Sequence, residues 1–206
     1  MEDSAVTYFE YGGADALIPE KEYRKYLGIR PGATVDPQLD ALIADCITEV
    51  RERLVIRGCR RICEVSVTEG DTPSVSLGFA DVKSSALAKN LSGCRRAAVF
   101  AVTAGAEIDR LIAKYGRTSA SRAVVVDAVA SAAAEGAAET VCRVTEEEFG
   151  KLRPRFSPGF GDLPLSLQKD LLFFTDAGRK AGIRLTETMM LVPVKSTTAI
   201  AGIIEK

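Results

Sequence analysis

Apolar residues at Leu39, Leu42, Ile43, Cys46, Ile47, Val50 and Leu54 recur every three or four positions, the spacing that turns one stripe of a helix toward a core. Asp36-Pro37 starts that helix. Upstream, Pro19 opens and Gly28 closes a shorter helical segment over Glu20 to Leu27, in the usual order of proline at the start and glycine just past the end. Before it, Tyr8, Phe9, Tyr11 and Gly12-Gly13 give residues 1–18 the character of a short strand or an arm. After Gly58 the period drops to two. Ile62, Glu64, Ser66 and Thr68 interleave with Cys63, Val65 and Val67, and Gly70-Asp71-Thr72-Pro73 separates this run from Val75, Leu77 and Phe79, which predicts two antiparallel strands. Ser84 caps a helical piece that reaches about Leu91, and Arg96 to Thr103 reads as a buried strand reached by a crossover. Gly105 to Lys114 follows as a helix with Ile108, Leu111 and Ile112 inward.

From Arg122 to about Phe149 the chain is dominated by Ala and Val, and alanine propensity outweighs the β-branched valines to predict one long helix. Its small side chains let other backbones approach, so it belongs at the centre. Glu135 lies in this apolar stretch. There it either faces solvent or, if buried, needs a partner, because an unpaired charge is expensive inside a protein. Leu165 to Phe173 and Asp176 to Ala181 read as helical pieces, and Ile183 to Val192 and Lys195 to Ile204 as two strands joined at Pro193. Nothing resembles a linker or a repeat, so residues 1–206 are expected to form one α+β domain with a mostly antiparallel sheet.

Composition narrows the chemistry. The chain has no histidine, which removes imidazole acid–base work, the histidine-activated nucleophiles and every histidine metal site. A formal net charge of −1 and 6% aromatic residues give no basic, ring-studded surface for nucleic acid. The arginines at 51, 53, 57, 60 and 61 read as a solvated helix end. Five cysteines, spread widely and without Cys-x-x-Cys, argue against a disulfide framework; Cys59 and Cys63 fall at a spacing that suits one helix face, or are simply buried thiols. No apolar run is long enough to span a bilayer, and the acidic start lacks a signal-peptide core, so a cytoplasmic protein is expected.

What remains is Arg153-Pro-Arg-Phe-Ser-Pro-Gly-Phe-Gly-Asp-Leu-Pro164. Prolines stiffen this loop, and Gly159 and Gly161 open its main chain to a ligand, although the same composition marks an ordinary connector. No glycine-rich dinucleotide turn and no P-loop is present. Arg155 and Glu135 together suit a zwitterion, with guanidinium on a carboxylate and carboxylate on an ammonium or sulfonium.

Arg155-Phe-Ser-Pro-Gly-Phe160, the helix around Glu135, and Leu185-Thr-Glu-Thr188 followed by Pro193-Val-Lys-Ser196 resemble the activation (reactivation) domain of cobalamin-dependent methionine synthase. Tyr26-Leu-Gly28, Leu77-Gly-Phe79 and Phe100-Ala-Val-Thr-Ala-Gly105 resemble its short free-standing versions. The resemblance implies a C-shaped domain with a twisted sheet that holds S-adenosylmethionine in a shallow groove. In this picture Arg155 binds the methionine carboxylate, Glu135 faces the charged amino or sulfonium end, the main chain around Ser157 and Gly159 meets the adenosine, and Phe160 takes the loop's aromatic position. It also implies cobalamin carried by a partner, either a methionine synthase core or another corrinoid protein, and a flavodoxin-like electron donor, with no nucleic acid and no membrane involved. The chain itself is then an accessory subunit of a methyltransferase. Gly159-Phe160-Gly161 departs from the family's Gly-Tyr-Pro, losing a hydroxyl and a rigid ring, and Phe149 stands where the family has an acidic residue, with Glu148 beside it. Two other readings accompany this one: an adaptor that docks on a corrinoid protein without binding S-adenosylmethionine, and a structural domain in which Arg155 and Glu135 form an internal salt bridge.

Overall fold

A computed structural model describes residues 5–70 and 72–204; residues 1–4 of the N-terminal strand-or-arm segment, and Asp71 of the predicted turn, lie outside them. The elements are β1 (Thr7–Gly12), α1 (Glu20–Tyr26), α2 (Pro37–Arg53), β2 (Val55–Glu64), β3 (Ser66–Thr68), β4 (Ser74–Ser76), β5 (Asp81–Lys83), α3 (Ser85–Leu91), β6 (Arg96–Thr103), α4 (Ala106–Thr118), α5 (Ala120–Phe149), α6 (Leu167–Phe174), α7 (Ala177–Lys180), β7 (Arg184–Leu185), β8 (Leu191–Val192) and β9 (Ser196–Ile203). This is an α+β fold in which every described strand pairing is antiparallel.

The main sheet has the order β1-β2-β6-β9. Its interior strand β6 is buried along nearly its whole length, and successive residues serve different cores. Phe100 and Val102 join α2, α4 and α5 on one face. Val99 and Ala101 join α3, α6 and α7 on the other. A strand covered on both faces has no polar side, which is why Arg96–Thr103 shows a continuous apolar run where alternation marks a half-exposed strand. The small sheet β3-β4-β5 closes the second core through Val75, with Leu77 just beyond β4.

Helix α5 runs 30 residues against the first face. It is crossed at Gly136, where an added Cβ would stand 2.1 Å from the Leu17 carbonyl oxygen. Only glycine permits that approach, and the approach delivers α1 to the side of α5 that carries Glu135.

Two expectations need correction, and the buried-thiol reading of Cys59 and Cys63 holds on a strand in place of a helix. The arginine cluster is not a helix end: α2 stops at Arg53, Leu54 is already extended, and β2 starts at Val55. β-Branched Val55 and Ile56 take the chain straight into the sheet, placing Arg57, Arg60 and Arg61 on a strand. Arg60 is 6% exposed and donates to Thr145 Oγ1 at 3.0 Å and Glu148 Oε2 at 2.5 Å. Cys59 and Cys63 accordingly share a strand face; burial pushes their thiols up to about 11 and about 12. Finally, Ile183–Val192 is not one strand. Arg184–Leu185 folds back on Leu191–Val192, because Thr186 closes a turn, its main-chain N–H donating to the Met190 carbonyl and its hydroxyl accepting from the Met190 N–H.

Candidate functional site

Asp127, Ser131 and Glu135 stand four residues apart on α5, so they share one side of the helix. Each meets a cation or its neighbour from the far end of the chain. Lys195 Nζ, with its side chain 13% exposed, lies 2.8 Å from Asp127 Oδ1 and 2.9 Å from Ser131 Oγ. Arg155 NH2 lies 3.1 Å from Glu135 Oε2, with the two side chains 33% and 37% exposed. A row of carboxylates and a hydroxyl on the helix thus faces two cations.

Arg155 is aimed by main-chain pairing on both sides of it. After α5 ends at Gly150, the chain runs back along the outer edge of β9: Arg153 N–H donates to the Gly202 carbonyl at 2.7 Å, and Phe156 and Ile200 exchange two bonds of 2.8 Å. The Asn90 amide holds the Pro154 carbonyl at 3.1 Å. Beyond this zipper the Pro/Gly loop folds on itself. Phe160 N–H donates to the Ser157 carbonyl and Gly159 N–H to the Leu163 carbonyl, each at 3.0 Å. The Gly159 N–H is therefore already engaged within the loop. Half-buried Ser157 precedes buried Pro158. Phe160 is 58% exposed, its ring edge-on to Phe156 at 6.3 Å between centroids.

Asp162 fixes the loop to α3. Its carboxylate accepts from the Ser84 hydroxyl at 2.5 Å and from the Ser85 and Ala86 N–H groups at 2.7 and 3.1 Å. These donors, the Ser84 hydroxyl first, hold the carboxyl below its ordinary range. Gly161 adopts φ +55°, and a Cβ there would sit 3.0 Å from Ala86 Cβ. Proline, confined to φ near −65°, does not fit. The departure from Gly-Tyr-Pro is thus built into how this loop lies on α3.

Sequence reasoning singled out Glu135, Arg155, Ser157, Gly159 and Phe160. The structure pairs the first two directly and sets the other three in one folded loop after Arg155. Sequence reasoning gave no site role to Lys195, named only within Pro193-Val-Lys-Ser196, or to Asp127 and Ser131, although the four-residue spacing of Asp127, Ser131 and Glu135 was visible. Tyr26, at the end of α1, entered only through the resemblance and without a site role; its hydroxyl is raised first by burial and then by the Glu135 charge, with Lys25 and Arg155 opposing. Tyr26 and Asp127 line a hollow of about 330 Å³ with Ile112, Ala123, Val124 and Ala128. Glu148, the acidic residue nearest the loop in sequence, is held by Arg60 and takes no part here. Among the described residues no cluster of metal-ligating side chains occurs, and no helix is long and apolar enough to cross a membrane.

The arrangement is that of an α+β domain whose long helix sets a row of polar side chains against two cations. A comparison of folds gives that class a particular member: the chain superimposes on a crystal structure of the MetH reactivation domain bound to AdoHcy with a TM-score of 0.69, over 97% of this chain and 78% of that one, at 16% sequence identity. The protein has the reactivation-domain fold. No sequence family and no curated protein matches it.

Proposed function

We propose that this chain is a single S-adenosylmethionine-binding domain that serves reductive methylation of cob(II)alamin in a methionine synthase whose catalytic and cobalamin modules are on another chain. The observation that carries the reading is the Arg155–Glu135 pair, at 3.1 Å, on a fold shared with a domain crystallised with AdoHcy. A half-exposed ion pair is worth about 1 kcal/mol or less, so a ligand bearing both charges can replace it at small cost. The methionine carboxylate takes Arg155, the ammonium or sulfonium takes Glu135, and neither side chain is left unpaired. The Gly159 carbonyl accepts from the adenine amino group, and the exposed Phe160 ring offers an apolar face. When bound, S-adenosylmethionine would supply the methyl group, its sulfonium C–S bond breaking to leave S-adenosylhomocysteine, and one electron from a flavodoxin-like donor would complete the conversion of cob(II)alamin to methylcobalamin. The residues of this chain bind and orient; without histidine they supply no imidazole ligand to cobalt, so the corrin is held by the partner, in the cytoplasm.

A second reading is an adaptor for a corrinoid protein that binds no S-adenosylmethionine. The Phe160-Gly161 departure favours it, while the closed Arg155–Glu135 contact is the feature expected of a structural domain that binds no ligand. Isothermal titration of the purified chain with S-adenosylmethionine and S-adenosylhomocysteine separates the two. The first reading expects saturable binding, weakened at least tenfold in Arg155→Ala with an unchanged circular-dichroism spectrum. A folded wild-type chain that takes up neither nucleoside refutes it.

A further inference from the structure

One edge of the main sheet is closed and the other open. At β9, Leu152 and Phe156 bridge to Ile203 and Ile200. At the opposite end β1 is paired inward with β2, from Thr7 opposite Arg60 to Gly12 opposite Val55, and its outer side meets no strand among the described residues. An outer side of this kind presents every second residue's main-chain donor and acceptor. Beside it lies a cleft of about 250 Å³ walled by Thr7, Phe9 and Tyr11 of β1, by Thr140, Val141 and Val144 of α5 and by Arg60 of β2, whose guanidinium is turned to Thr145 and Glu148. An open edge next to an apolar slot holds an extended segment, through main-chain bonds along the edge and alternate side chains in the slot.

We propose that the segment is β1 of a second copy of this chain, paired antiparallel about a two-fold axis at Phe9. A strand pairs with itself in this way only if its side chains are self-complementary, and these are. On the α5 side, Phe9 falls opposite Phe9 of the second copy and Thr7 opposite Tyr11, both favourable cross-strand combinations. On the other side Tyr8 falls opposite Glu10. Within one chain Tyr8 already donates a hydrogen bond to Glu10, and Arg57 Nε pairs with that carboxylate at 2.9 Å. The only like charges that approach are the two Glu10 carboxylates, diagonal across the axis at about 7–8 Å and each already held by its own Arg57, and the two sheets become continuous.

Sedimentation equilibrium on the full chain tests this. The wild type is expected at twice 22.0 kDa. Tyr8 is 40% exposed, so its replacement leaves the fold intact, as circular dichroism verifies. Y8E sets a carboxylate opposite Glu10 at both ends of the junction and should raise the dimer dissociation constant at least tenfold. Tyr8→Lys sets a cation there and should keep the dimer. A wild type of 22.0 kDa at the highest attainable concentration, a dimer that Y8E leaves unchanged, or loss of the dimer in both variants overturns the proposal.

Discussion

Two helical glycines offer the same chemical change with opposite expected outcomes. At Gly136 on α5 a Cβ would lie 2.1 Å from the Leu17 carbonyl oxygen, 2.8 Å from its carbon and 3.0 Å from Pro19 Cδ, where carbon pairs rest at about 3.5–4.0 Å. The obstacle is main chain, so no side-chain rotation relieves it; the Leu17–Pro19 segment or α5 itself must move. Overpacking of this kind costs about 1–3 kcal/mol, and a backbone obstacle belongs at the upper end. Alanine returns about 1 kcal/mol through its better helix propensity. The net loss is about 2 kcal/mol, which at roughly 2–4 °C per kcal/mol for a chain of this length lowers the melting temperature by about 4–8 °C. At Gly116 on α4 nothing stands within 4 Å of the added Cβ, so only the propensity gain remains, and the melting temperature should rise by about 2–4 °C. Thermal melts of Gly136→Ala, Gly116→Ala and wild type, followed by circular dichroism in one buffer, make the comparison. A Gly136→Ala chain that melts at or above the wild type would refute the crossing geometry.

The remaining predictions concern titratable groups. Folding lowers the Asp162 carboxyl, chiefly through the Ser84 hydroxyl, so its contribution is complete above the unfolded value of about 3.9 and disappears as pH falls through the lower folded value. The chain has no tryptophan; a Phe160→Trp reporter should keep steady emission from neutral pH down to about 4 and change below it, and adding Asp162→Asn should remove that acid step. An acid step that survives Asp162→Asn places the titration elsewhere. Burial pushes the Cys142 thiol to about 11, as it does Cys59, and Cys63 to about 12. At about pH 8, near the ordinary thiol value, these three should therefore react only slowly with Ellman's reagent in the native protein, and Cys46 and Cys94 are kept from it by burial, whereas all five thiols should react after unfolding in guanidinium. A rapidly reacting thiol in the native chain contradicts this.

Those parts of the fold whose physics is local could be read from the chain. Asp36 before Pro37 accepts from Gln38 and Leu39 N–H groups as a helix cap should, Ser84 accepts from Leu87 N–H, and the alanine run produces α5 almost to the residue. Features made by distant partners were hidden. Arg60 reads as one more surface arginine until Thr145 and Glu148 arrive from 85 and 88 residues away. Asp162 reads as a turn residue, yet its work is done on the first turn of a helix 76 to 78 residues earlier. In the candidate site the chemical types were legible, since a chain without histidine has few charged groups in apolar surroundings. That Glu135 and Arg155 meet was one of two open alternatives, because burial of a helix face depends on what crosses it. Lys195 gave no local sign of its partners on α5.

The buried side of α5 is made largely of alanine, including Ala130, Ala133, Ala137 and Ala138, and alanine has no rotamers. A contact surface of this kind has no soft degrees of freedom with which to absorb a displacement, whereas a leucine-packed helix can re-seat its side chains. A displacement at Glu135 is then borne by the helix as a rod and passes to whatever abuts it. The nearest abutment is the Leu17–Pro19 crossing at Gly136, one residue along. Mechanically, α1 and the Arg155–Glu135 pair are two ends of one stiff joint.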